Sequence, residues 1–166
     1  VERSRGLGDV YKRQIPNISN GEHVFVSYNT EIKRGSVVIL EVNKDDNFHI
    51  DETSHYIKRI IGLPGDRVKW INNKLYINDE EYNEPYFPKD YFGTAATNNF
   101  DGLFRYIDEN GNEQVTEIIP EGYYFVMGDN RPISKDSRSI GLIPEKNIIG
   151  VATYHMNFII PRGKIK

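Results

Sequence analysis

Two short segments concentrate the residues able to do chemistry. The first is His55–Asp66, HYIKRIIGLPGD, in which Lys58 and Arg59 interrupt an apolar run. It reads as a β-strand that ends in a turn. Side chains alternate faces along a strand, so Tyr56, Lys58 and Ile60 share one side while Ile57, Arg59 and Ile61 share the other. Cations in such a place protect an exposed strand edge from aggregation. The alternative is burial. An ammonium taken out of water loses its preference for the charged form, and its pKa falls to about 5–6 in a fully buried site. A lysine in that state can take a proton from a hydroxyl at working pH.

The second segment is Gly128–Gly141, GDNRPISKDSRSIG, which directly follows the apolar run YYFVM. Two Asp, two Arg, three Ser and an Asn fall within it. It fits a generic polar loop. It also fits a preformed network in which arginine forks bind aspartate carboxylates and hold the loop rigid. In that case Ser134 offers a hydroxyl to a buried amine. Rigid loops that follow strands are common mounts for functional sites.

The rest of the chain narrows the chemistry. Its 166 residues amount to about one domain. With 38% hydrophobic and 27% charged residues the balance is that of an ordinary globular protein. A net charge of −3 gives no basic face for nucleic acid. The chain has no cysteine, which excludes disulfides, thiolate metal sites and a cysteine nucleophile. His23, His49, His55 and His155 are not at metal-ligand spacing. No metal is therefore expected. Asp79-Glu80-Glu81 reads as a solvated turn. No run approaches the roughly 20 apolar residues of a membrane span, and no export signal is visible.

The elements that must position these residues are strands. EHVFVSYN, SVVILEVN, the Lys58 segment, YYFVM and GVATYHM all read as strands. RVKWI and KLYI flank Asn72-Asn73, and LFRYI and QVTEII flank Asn110-Gly111, both hairpin signals. Only Pro144–Ile148 hints at a helical turn. The expected fold is mostly β, a folded or coiled antiparallel sheet system with little helix. Residues 15–166 form one domain, with a hairpin and loop excursion around residues 70–119. Residues 1–14, VERSRGLGDVYKRQ, lack any apolar period and are expected to be a non-native or disordered segment.

Together the segments resemble the bacterial type I signal peptidases, serine/lysine endopeptidases that release exported proteins from their leader peptides. Gly128-Asp129-Asn130-Arg131, Ser134, Asp136-Ser137-Arg138 and Gly141 are similar to the family's GDNRxxSxDSRxxG box at every fixed position. Tyr56–Asp66 resembles the box that carries the general base. Arg34-Gly35-Ser36-Val37-Val38 resembles the RGD-V-V box, with serine in place of aspartate. The resemblance implies that Lys58 is the general base and that Ser134 orients it. It implies that Asp136 and Arg138 brace the site, that Asp129 and Arg131 brace the loop, and that Tyr56 and Ile57 border the substrate pockets. It implies a signal-peptidase-like β fold and a preprotein leader peptide bound as an extended strand. It also implies work at the membrane surface, on the outer face of the bacterial cytoplasmic membrane, with no organic cofactor and no nucleic-acid partner.

One position departs from the pattern. The family's nucleophile lies in S-M-x-P-T-L, and the matching stretch here is Arg13-Gln14-Ile15-Pro16-Asn17-Ile18. Pro16 and the following Gly21-Glu22 fit; Arg13 occupies the nucleophile position. A paralogue that lost its serine and an engineered change are two accounts of this; the favoured third is that residues 1–14 do not belong to the native chain, since Asp9–Gln14 is similar to the translation of a transposon-end adaptor used in preparing DNA libraries. As given, the chain is expected to lack peptidase activity. The alternative function is that of a non-catalytic β-domain that binds extended peptides or partner proteins at the membrane surface.

Overall fold

The computed structural model describes residues 23–42, 54–88, 99–157 and 160–164. Arg13, the rest of residues 1–14 and the Pro16–Glu22 match lie outside the described residues.

A seven-stranded antiparallel sheet forms the body of the molecule. Its strands are β1 (His23–Ser27), β2 (Val37–Val42), β3 (Ser54–Gly62), β9 (Tyr123–Met127), β10 (Ile143–Pro144), β11 (Ile148–Asn157) and β12 (Ile160–Lys164). The spatial order is β1-β11-β2-β3-β9-β10, with β12 also paired to β11. The 63–122 excursion supplies the remaining strands. β4 (Val68–Ile71), β5 (Lys74–Ile77) and β6 (Glu80–Glu81) form a second sheet, and β7 (Phe104–Ile107) pairs with β8 (Glu113–Thr116). The mostly β, antiparallel expectation holds.

Local chemistry explains the turns. Asn72 and Asn73 take φ of 50° and 64°, the left-handed pair that a two-residue hairpin requires and asparagine tolerates. Asn78 and Asp79 repeat the device at 53° and 66°. The carboxylates around that second turn are solvated. Asp79 meets Lys69 at 2.5 Å and Glu81 meets Lys74 at 2.7 Å, all four partly or largely exposed. At the tip between β7 and β8 the Asp108 carboxylate accepts from the Asn110, Asn112 and Gln114 nitrogens.

β3 is a central strand between β2 and β9, and it is buried from Ile57 to its end. That rules out edge protection as the reason for its two cations. Val38, Leu40, Val42, Ile60, Val126, Ile143 and Val151 form one apolar cluster on the sheet. A second holds the excursion against β3 and β9 through Ile61, Val68, Trp70, Leu75, Phe104, Ile119, Phe125 and Leu142. Phe100 joins it by a backbone bridge to Trp70 and lies 5.1 Å from the Phe125 ring.

One element was not anticipated. Ser137–Ile140 forms a single helical turn, α1, inside the polar loop. Four residues cannot show a helical period; the turn is capped by the Asp136 side chain, which accepts from Arg138 N. The helical turn hinted at near Pro144–Ile148 is a short 3-10 turn at Glu145–Asn147.

α1 ends at Gly141, with φ 88° and ψ −173°, a region open essentially to glycine alone. A Cβ there would lie 2.5 Å from the Arg105 carbonyl oxygen, which accepts a bond from Leu142 N. Gly141→Ala is expected to destabilise the fold by roughly 1–3 kcal/mol, read as a lowered urea midpoint. An unchanged midpoint would show that the loop can leave this conformation freely.

Candidate active site

The ladder between β3 and β9 sets the site. Arg59 is opposite Met127. Lys58 is the residue before Arg59 on β3, and Gly128, where the chain leaves β9 for the polar loop, follows Met127. On the β2 side Lys58 is paired with Val38. Lys58 is 0% exposed. Its Nζ sits 5.1 Å from the centre of the Tyr56 ring, two residues away on the same side of the strand. Ile57 is buried on the opposite side with Val37 and Ala152. The two residues expected to border substrate pockets therefore face different ways.

Arg59 is equally buried. Its Nε and Nη2 donate to the two Asp129 oxygens at 2.9 and 2.7 Å, and its Nη1 donates to the Gly35 carbonyl at 2.7 Å. The guanidinium lies 3.9 Å from the centre of the Tyr86 ring. A bidentate, charge-assisted pair of this kind satisfies both ions and fixes their orientation.

The loop that carries Ser134 is tied at both ends. The Asp136 carboxylate accepts from Gly128 N at 3.0 Å and from Arg138 Nε and Nη2 at 2.8 and 2.9 Å. Arg138 Nη2 also donates to the Arg131 carbonyl at 2.7 Å, and Arg131 Nε donates to the Gly128 carbonyl at 3.0 Å. Ser137 Oγ accepts from Val126 N, which pins α1 to β9. Ser134 N donates to the Asn130 carbonyl at 3.1 Å. Ser134 Oγ is shielded from solvent and has no hydrogen-bond partner among the described residues.

Arg131 brings in a residue that sequence reasoning missed. Its Nη1 donates to Glu84 at 2.8 Å and its Nη2 makes a second bond to the same carboxylate. Burial works against the Arg131 charge, but Glu84 foremost, with Tyr86 and Asp129, holds the guanidinium pKa above its ordinary value. Burial, followed by the Glu84 charge, raises the Tyr86 phenol.

The Arg34-Gly35-Ser36 segment closes the other side. Arg34 Nη1 donates to the Ile61 carbonyl at 2.7 Å and pairs with Asp66 at 2.9 Å. Asp66 in turn accepts from Leu63 N at 2.7 Å. Ser36 Oγ accepts from Lys33 N at 3.1 Å, so the serine supplies the turn-closing acceptor that a carboxylate would also supply. Among the described residues no three His, Cys, Asp or Glu side chains are grouped to hold a metal. No helix among them is long and apolar enough to cross a membrane.

Known proteins resemble this chain in sequence and in fold. Residues 12–157 match the family described as signal peptidase, peptidase S26. The chain is 38% identical over 146 residues to signal peptidase IB of Staphylococcus aureus strain COL, covering 84% of this chain and 70% of that protein. It is 35% identical over 162 residues to signal peptidase I of Streptococcus pneumoniae serotype 4, covering 85% and 76%. The crystal structure of a signal peptidase I from Enterococcus faecalis V583 superposes with a TM-score of 0.53 at 28% identity, over 75% of this chain and 98% of that one. The protein is thus of the peptidase class. It belongs to the bacterial type I signal peptidase family.

Two outcomes follow for the buried charges. Asp129→Ala leaves Arg59 buried without its anion and is expected to cost roughly 3–5 kcal/mol, whereas Arg59→Met with Asp129→Leu should recover most of that loss. Equal midpoints for the two variants would contradict this account. Tyr86 has a raised pKa in the fold, so its contribution is complete below about pH 10 and is lost as pH rises above it. Between about pH 9 and pH 11 the unaltered chain should lose more stability than Tyr86→Phe. Parallel stability–pH curves would show that the phenol is not held un-ionised.

Proposed function

We propose that this domain is built to cleave leader peptides from exported preproteins by serine/lysine chemistry, with Lys58 as the general base and Ser134 as the hydroxyl that orients it. The single observation that carries this is the complete burial of Lys58 on a central strand, next to Arg59, which pairs with Met127 just before the loop that presents Ser134. Desolvation favours the neutral amine, and a neutral amine can accept a hydroxyl proton. A buried hydroxyl without a partner costs about 1–3 kcal/mol, so a second polar group at Ser134 Oγ would repay its placement.

The reaction requires a serine at position 13. Its hydroxyl gives a proton to Lys58 as its oxygen attacks the scissile carbonyl. The tetrahedral intermediate collapses to an acyl-enzyme, and Lys58 returns the proton to the leaving amine. Water, deprotonated by the same amine, then releases the acid. The substrate lies as an added strand, its backbone held by main-chain bonds, with Tyr56 and Ile57 near its side chains. The work is done at the outer face of the cytoplasmic membrane. With Arg13 at the nucleophile position the chain as given does not turn over peptides. That same substitution favours the second reading, a β-domain that binds extended peptides without cutting them.

Arg13→Ser with Gln14→Met should confer cleavage of a leader peptide with small residues before the cut, and adding Lys58→Ala should abolish it. The unaltered chain should show none. Turnover by the unaltered chain that survives deletion of residues 1–14 and vanishes with Lys58→Ala would overturn the inactivity. A folded double variant without turnover, whose Lys58 titrates near the ~10.4 of a free lysine, would leave the peptide-binding reading in its place.

A further inference from the structure

Glu84 lies outside both chemistry-bearing segments, in the irregular stretch that follows β6, yet it closes a circuit around them. Asp129 and Arg131 are two residues apart at the start of the loop and are gripped from different elements. Asp129 is held by Arg59, the residue next to Lys58. Arg131 is held by both oxygens of Glu84. Glu84 Oε1 also accepts a 2.5 Å bond from the Tyr86 hydroxyl, and the Tyr86 ring is the face on which the Arg59 guanidinium rests. The circuit therefore runs Arg59, Asp129, Arg131, Glu84, Tyr86 and back to Arg59.

Two branches carry it to the site. The Arg131 carbonyl accepts from Arg138, whose guanidinium clamps Asp136, and Asp136 accepts from Gly128 N. A shift of Arg131 thus reaches both ends of the stretch that presents Ser134. At the other end of the circuit, Arg59 is covalently next to Lys58.

A plainer role for Glu84 would be to pin the excursion to the body. The excursion does not need such a pin. Trp70, Leu75 and Phe104 already bury it against Phe125, Met127 and Leu142. Arg131 itself lies within 5.0 Å of the Trp70 ring centre and 5.1 Å of that of Phe87. A buried ion pair adds little net stability over apolar packing, but it fixes geometry through its fork.

We propose that Glu84, coupled through Tyr86, is a positioning residue that sets the serine-bearing loop against the strand carrying Lys58. This rests on Lys58 acting as the base, and the experiment separates the two. In the Arg13→Ser/Gln14→Met background, Glu84→Gln should lower kcat about 10- to 100-fold with KM held within about threefold, the pattern of a misplaced catalytic group rather than weakened binding. Glu84→Asp, which keeps the charge, should recover part of the loss. Tyr86→Phe, which keeps the ring and removes the hydroxyl, should show a smaller fall in kcat.

A readout independent of turnover is the titration of the Lys58 amine, followed by NMR of 13C-lysine in the otherwise unaltered chain and assigned with Lys58→Arg. Glu84→Gln should move its midpoint toward that of a free lysine. Unchanged kcat and an unchanged Lys58 midpoint in a folded Glu84→Gln protein would overturn the proposal while leaving the serine/lysine mechanism intact. A parent Lys58 that already titrates as a free lysine, with no turnover by the double variant, would instead remove the mechanism and this inference with it. The fluorescence of Trp70, the sole tryptophan, reports whether the cluster around Arg131 is native. If Glu84→Gln loses that signal, Tyr86→Phe decides: unchanged kcat and midpoint there overturn the proposal.

Discussion

Two adjacent cations held wholly out of water impose most of the organisation seen here. An arginine cannot escape its charge, so a buried guanidinium must be given an anion and acceptors. Arg59 receives the Asp129 carboxylate, the Gly35 carbonyl and the face of Tyr86. Each comes from a different part of the chain: the loop after β9, the turn before β2, and the excursion. A lysine has a second way out, since its amine can discard the proton when water is removed. The same strand can therefore present one cation as a structural hub and its neighbour as a chemical group. Alternation along the strand keeps the two tasks on separate faces.

The excursion acquires a purpose from this arrangement. In sequence it is an aromatic and polar interruption, punctuated by proline and glycine. In the fold it delivers Glu84 and Tyr86 to the ends of Arg131 and Arg59 and supplies the Trp70 and Phe87 rings beside Arg131. Asp129 pairs with Arg59, and Arg131 pairs with Glu84. One reaches toward the body and the other toward the excursion, so the loop is fixed against both.

Much of the fold was legible because its signals are local. Branched, continuously apolar runs marked β2 and β9, and Asn72-Asn73 and Asn110-Gly111 marked two hairpins through their tolerance of left-handed backbone. Asn78-Asp79 carried the same signal but went unread; only Asp79-Glu80-Glu81 was read, as a solvated turn. α1 escaped because one turn of helix has no period. The position of β3 in the sheet was not local either. Whether its cations protect an edge or lie in the interior depends on β9, a strand far along the chain. Glu84 was missed for a related reason. Nothing in Asn83-Glu84-Pro85-Tyr86 marks it, and the only hint was that Arg131, if buried, must find an anion somewhere. The polar box itself was legible as a motif, while the partners of its charged residues were not.

The bond from Arg59 to Asp129 joins residues 70 positions apart. Closing so long a loop is entropically costly and slow when the intervening chain is unstructured. Here that chain contains three hairpins, β4-β5, β5-β6 and β7-β8, with tight, locally encoded turns. Such local pairings shorten the stretch that must be closed. The contacts inside the excursion are thus short in sequence, and the buried pair that closes around it is long.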